Sequence, residues 1–143
     1  MRLTPAIFLL CVGTVLAADH TLSCPASIPV KQNPGEMPDR WEGLDRSRTG
    51  QYSLIAAGFT YGHPKNNSDL KPDNADSRAV KGRPRVLKYI FDGSFQEGIF
   101  LDCRFSDTSV TAFTRLPAGI KTCEITYSAK PDAPSPIQSI KCR

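Results

Sequence analysis

The chain is poor in the residues that enzymes rely on. It holds two histidines, His20 and His63, and one tryptophan among 143 residues, so general-base chemistry has few candidates. It carries no G-x-S-x-G elbow, no H-E-x-x-H signature and no glycine-rich phosphate loop, the usual signs of acyl transfer, zinc hydrolysis and nucleotide chemistry. No two cysteines stand in C-x-x-C spacing, which argues against a zinc site. Asp69, Asp73 and Asp76 cluster in one polar stretch, but without the D-x-D-x-D-G run and closing glutamate of a calcium loop. Solvated loop charges account for them. Aromatics are not interleaved with the basic residues as a nucleic-acid stacking platform requires, and a formal net charge of +4 does not by itself point to nucleic acid. The expectation is a protein that is not an enzyme and has no catalytic residue, cofactor, metal or nucleic-acid partner.

Long apolar runs are also missing, and none approaches the roughly 20 residues of a bilayer span. The apolar stretch at the N-terminus (Ala6 to Val12) follows Arg2 and precedes small Ala17 and Ala18, the pattern of a secretory signal. Residues 1–18 are expected to be a signal peptide cut near Ala17 or Ala18, leaving one domain over 19–143. Leu10 stands before Cys11, where lipid attachment wants a small residue, so lipidation is not expected. Removing the signal leaves four cysteines: Cys24, Cys103, Cys123 and Cys142. An even count in an exported chain reads as two disulfides and an oxidising compartment.

What is present fits a small packed domain. Apolar residues make up 40% and charged ones 22%, enough for a core, while 12 prolines and 10 glycines disfavour long helices. Apolar segments bounded by turn residues recur at 52–61, 86–91, 99–105, 109–116, 122–128 and 137–142. The first is apolar enough to be covered on both faces. In 99–105, Leu101, Cys103 and Phe105 share one face and Asp102 and Arg104 the other; in 122–128, Cys123, Ile125 and Tyr127 stand together. The segments 31–50 and 62–85 read as loops, and His20 as part of a frayed terminus. The fold class is all-β: a small antiparallel sheet or sandwich of about six to eight strands, stapled by two disulfides.

Strand order constrains the bonds. If 99–105, 109–116 and 122–128 lie side by side, the middle strand holds Cys103 and Cys123 about 10 Å apart, beyond the roughly 7 Å reach of a disulfide. A hairpin of 122–128 with 137–142 sets Cys123 opposite Cys142 and leaves Cys24 for Cys103, the preferred pairing. A sheet that bends or splits into two layers admits Cys103–Cys123 with Cys24–Cys142, and all three connectivities stay open at this point.

One charge cluster stands out: Arg78, Lys81, Arg83, Arg85 and Lys88. It reads either as a solvated loop entering an edge strand, where basic side chains discourage edge pairing, or as a surface for an anionic partner. His63, within Gly62-His63-Pro64, reads as an exposed turn residue or a partner contact. Trp41 reads as a core lid or an interface anchor.

An ordered set of residues extends this reading. Cys24-Pro25 with Ile28 and Val30, Trp41-Glu42, Phe59-x-Tyr61-Gly62-x-Pro64, Leu70-x-Pro72-Asp73, Cys103-Arg104-Phe105, Thr114-Arg115-Leu116-Pro117, Cys123-x-x-x-Tyr127 and Ile140-Lys141-Cys142 resemble a family of short exported four-cysteine proteins of proteobacteria, enterobacterial in type. The chain departs from it at Val86-Leu87-Lys88-Tyr89, where relatives often carry tryptophan. Some members are encoded near type VI secretion genes. The resemblance therefore implies a periplasmic immunity protein that neutralises an envelope-attacking toxin or hydrolase by occluding its active site. The alternative is a non-enzymatic envelope protein that binds peptidoglycan or lipid headgroups through the basic stretch.

Overall fold

The structure is a computed structural model that describes residues 19–31, 35–40, 42, 50–66, 68–74, 80–130 and 136–143. Trp41 and Arg78 lie outside the described residues. Eight strands form: β1 (His20–Leu22), β2 (Ser27–Pro29), β3 (Gln51–Tyr61), β4 (Arg85–Ile90), β5 (Ile99–Phe105), β6 (Thr111–Arg115), β7 (Thr122–Tyr127) and β8 (Ile137–Cys142). Among the described residues there is one 3-10 turn, Pro64–Asn66, and no α-helix. The strands make two antiparallel sheets. Sheet one has the order β1-β8-β7-β4 and sheet two the order β2-β3-β5-β6.

Alternation along the strands builds the core between the sheets. Ile99, Leu101, Cys103 and Phe105 of β5 are all buried, as are Cys123 and Ile125 of β7 and Ile140 and Cys142 of β8. Phe59 and Leu101 from sheet two join Ile125 and Ile140 from sheet one in a single cluster. None of the four is more than 1% exposed, and burying each stabilises the fold by about 2 kcal/mol. Phe59 meets Tyr89 and Phe91 edge-on at 4.8 and 5.5 Å between ring centres, the geometry the ring quadrupoles favour.

The expected meander holds only for β5 and β6. After β6 the chain crosses to sheet one, where β7 pairs with β4 and β8. The crossing is driven by burial: Leu116 and Ile120 both enter the core on either side of the Pro117-Ala118-Gly119 turn, which carries the backbone from one layer to the other. The bonds are nonetheless Cys24–Cys103 and Cys123–Cys142. Cys123 stands directly across from Cys142 in the β7–β8 register, with Cα atoms 4.1 Å apart. Cys24 lies where the chain passes from β1 in sheet one to β2 in sheet two, beside β5. By loop closure, the bonds spanning 79 and 19 residues restrict the unfolded chain by about 4 and about 3 kcal/mol.

Two other expectations need correction. His20 is not frayed: it sits in β1 opposite Cys142, held by the nearby Cys24 anchor. Strand β3 is covered on both faces only near its end; Ser53 and Ile55 are exposed, Ile55 by 52%. A register shift between Leu54 and Ala56 keeps Leu54 and Ala57 both buried.

The far edge of β3, away from β5, is closed in pieces. At its start it pairs with β2, and Leu54 N donates to Ala26 O at 2.8 Å. At its end Tyr61 N donates to Ser68 O (3.0 Å) and Leu70 N to Phe59 O (2.8 Å). Between them the Tyr127 hydroxyl reaches across from sheet one. It donates to Ala57 O at 3.0 Å and accepts from Ala57 N at 3.2 Å. Tyr127→Phe keeps the ring and strands both backbone groups, and each unsatisfied group costs about 1–3 kcal/mol. Thermal denaturation of the variant should show a clearly lower midpoint; an unchanged midpoint would mean that the hydroxyl does not hold the sheets together.

Candidate partner-binding surfaces

The long polar segment 62–85 is less loop-like than its composition suggests. Asp73 and Asn74 seal the free edge of β4. Asp73 N donates to Lys88 O (2.7 Å), and its Oδ2 accepts from Ile90 N (2.7 Å). Asn74 Nδ2 donates to Val86 O (2.8 Å), and its Oδ1 accepts from Lys88 N (2.9 Å). These four bonds mimic a missing strand, so the edge is closed by side chains as well as discouraged by charge.

The basic stretch divides. Lys81 and Arg83, in the turn before β4, and Arg85, at its first position, gather around a cleft of ≈ 930 Å³. Its floor is apolar, formed by Ala56, Val80, Leu87, Tyr127 and Ala129, and among the described residues no acidic side chain lines it. The cleft runs between Ala56 of β3 and Leu87 of β4, beside the Tyr127 hydroxyl that bonds Ala57. Lys88, one face over, points away on the outside of sheet one and meets Glu124 at 3.4 Å. Both are exposed, so this pair contributes little.

His63 belongs to a different surface. Thr60–Phe100–Arg115, Gly58–Asp102–Phe113 and Ala56–Arg104–Thr111 form three cross-strand rows on the outer face of sheet two. His63 leans onto this face, 4.7 Å from Phe113 edge-on and 6.1 Å from Phe100, and its Nδ1 accepts from Lys65 N at 3.2 Å. Phe113 stays 45% exposed. Arg115 lies 6.0 Å above the Phe100 ring, within cation–π range. Its guanidinium also lies flat on Gly98 (φ 83), where a Cβ would come within 2.6 Å of Arg115 Nε. The positive φ favours glycine there, and a side chain would also displace the Arg115 guanidinium.

Beside the rings stands a small ion-pair array. Arg104 Nε donates to Asp102 Oδ2 at 3.0 Å and Nη2 to Asp69 Oδ2 at 2.6 Å. The guanidinium spans β3 where the residues beneath are small, Ala56 and Gly58. Asp102, set by period two on the face opposite Leu101, does face outward but is only 4% exposed. Its Oδ1 has no hydrogen-bond partner among the described residues. Hydrogen bonds to Asp69 and then Asp102 raise the Arg104 pKa against the opposing effect of burial. Tyr89 reaches toward the same place from sheet one, and its hydroxyl lies 3.9 Å from where a Cβ on Gly58 would stand. Burial, reinforced by Tyr127, pushes its pKa from 10.0 to about 12, with Arg104 opposing.

The residues foreseen as contacts thus fall on three surfaces: Lys81, Arg83 and Arg85 together, His63 apart, and Lys88 apart. The cluster around Phe100, Phe113 and Arg115 was not anticipated. Its signal was available in the alternation of β5, which puts Phe100 on the face opposite Leu101. Among the described residues, no group of three or more His, Cys, Asp or Glu side chains is placed to hold a metal ion, and no helix is long and apolar enough to cross a membrane.

The family described as Type VI secretion system Tli immunity protein matches residues 48–143, which takes in β3 to β8 and every surface above. A curated relative from Azospirillum brasilense, an uncharacterized 16.3 kDa protein in the trpG 5′ region, is 29% identical over 121 residues, covering 80% of this chain and 75% of the relative. No solved structure matches the chain.

The Tyr89 geometry has a measurable consequence. A phenol whose pKa is raised on folding leaves stability intact below pH 10.0 and loses it as pH climbs through about 12. An alkaline absorbance titration should find one tyrosine ionising near pH 12, missing from Tyr89→Phe. A titration identical in the two proteins would show that Tyr89 is not shielded.

Proposed function

The chain belongs to the Tli immunity protein family of type VI secretion systems, and on that footing we propose that it is exported to the periplasm, binds one type VI toxin there and neutralises it by covering the active site. The reading assigns it no catalysis of its own. Residues 1–18 act as the export signal. Export supplies the oxidising compartment that Cys24–Cys103 and Cys123–Cys142 need. The observation that carries the proposal is the family match across two thirds of the chain, 48–143.

The architecture suits an inhibitor. Two crosslinks and side-chain-sealed strand edges leave little backbone freedom to lose on binding. Under this reading Lys81, Arg83 and Arg85, with Arg78 preceding them in sequence, meet an acidic part of the toxin at the cleft, while His63 and Lys88 are contacts on separate faces. The cleft's three cations, with no acid among the described residues that line it, also favour a second reading, adhesion to anionic peptidoglycan or lipid headgroups. Salt-labile sedimentation of the purified protein with cell wall or anionic vesicles, without any toxin, would support that alternative.

The test is neutralisation. Type VI toxins of the same strain are directed singly to the periplasm of a sensitive host, with or without this chain. One of them should become harmless when the full chain is co-expressed and stay lethal when residues 1–18 are deleted. Protection should fail when Arg83→Glu and Arg85→Glu are combined with a replaced 62–76 segment. Relief of no toxin would end the immunity reading, and full protection by the altered protein would show that the contacts lie elsewhere.

A further inference from the structure

We propose that the toxin is held by strand addition: an extended toxin segment pairs with the open edge of β6, setting an apolar side chain against Phe113 and an acidic one against Arg115. The inference rests on the immunity reading and names how the partner is engaged.

The backbone of β6 identifies the edge. Leu116 N donates to Ile99 O at 2.9 Å, and the β5–β6 register runs on from that bond. Ala112 and Thr114 therefore direct their amides and carbonyls to β5, whereas Thr111, Phe113 and Arg115 direct theirs outward. β6 is the last strand of sheet two, and among the described residues nothing bonds to those outward groups. Other edges are dealt with. β4 is sealed by Asp73 and Asn74, and β3 by β2, Tyr127 and the 68–70 segment. β1 and β2 are three residues each, and β2 ends in Pro29. β6 has no proline, no lysine and no register shift against β5. A bare strand rich in threonine and an aromatic is the template that proteins ordinarily blunt, and an edge left open is what a strand-adding partner uses.

The side chains say what kind of strand fits. Phe113 is 45% exposed at the edge itself, and its ring is fixed by His63 at 4.7 Å and Phe100 at 6.2 Å. That makes a preformed apolar platform for one residue of an added strand. Arg115 is exposed and braced on Gly98, with no salt bridge among the described residues. Asp69 and Asp102 each pair with Arg104 through Oδ2, and the Glu97 carboxylate is turned toward Gly62. The charge this edge offers is positive, so the incoming strand carries an acid there. A second copy of this chain fits less well. Antiparallel pairing centred on Phe113 would set Arg115 opposite Thr111, leaving both arginines without a carboxylate and joining two chains of net charge +4 each.

The probe is the toxin that the full chain neutralises. Backbone amide exchange is measured on the oxidised, isotope-labelled protein alone and in complex. On binding, the outward Phe113 and Arg115 amides should slow by about tenfold or more. Thr111→Pro removes an outward donor and leaves the β5 ladder intact, so it should raise the Kd about tenfold without lowering the melting temperature. Arg115→Glu should weaken binding similarly and needs no backbone tolerance. A toxin that binds while both amides exchange as before would overturn strand addition and leave the immunity reading standing. Failure of every toxin to bind or be neutralised would remove both. Protection of the same amides in the protein alone, growing with its concentration, would make a second copy the occupant and refute the proposal.

Discussion

The structure depends on one requirement: backbone amides and carbonyls at a strand edge need partners. In a two-layer sandwich of short strands, edges are a large part of the molecule, and this chain settles them with side chains and short backbone segments together. The Tyr127 hydroxyl serves both backbone groups of Ala57 across the sheets. Asp73 and Asn74 stand in for a strand along β4. The 68–70 segment closes the end of β3. Together they tie sheet one to sheet two along one side, and the cleft lined by Lys81, Arg83 and Arg85 opens beside Tyr127.

The covalent bonds follow the same division of labour. Cys123–Cys142 reinforces a hairpin that already pairs those residues. Cys24–Cys103 does more, because it fastens the N-terminal strands to the central strand β5 across 79 residues. The family match begins at residue 48, so β1, β2 and Cys24 precede it while Cys103 lies inside it. Cys24–Cys103 is thus the covalent crosslink between the matched region and the segment before it, beside the pairing of β1 with β8 and β2 with β3.

Much of the fold was legible because it rests on period-two burial. Leu101, Cys103 and Phe105, or Cys123 and Ile125, announce inward faces by spacing alone, and the facing of Cys123 and Cys142 follows from a hairpin. The layer change after β6 was not legible. Pro117-Ala118-Gly119 reads as an ordinary turn, and only the burial of Leu116 and Ile120 shows that the chain descends through the core there. The role of Asp73 was hidden for a similar reason: a carboxylate in a polar stretch looks solvated until a strand edge is placed beside it. The basic residues were visible as a run, but period two separates Lys88 from Arg85, and no local pattern could tell that His63 packs against Phe113 on the other sheet. Period two gives Asp102 its face but not its burial, since burial and the reach of Arg104 to Asp69 are long-range facts.

Among the described residues the sandwich of this immunity-family chain presents the open β6 edge and one basic cleft. The most direct test is the structure of the oxidised chain bound to the toxin it neutralises. The account predicts a toxin strand continuing sheet two alongside Thr111–Arg115, with an acid at Arg115 and the toxin's active site covered. A complex in which the β6 edge remains in solvent and the toxin's active site stays open would contradict it.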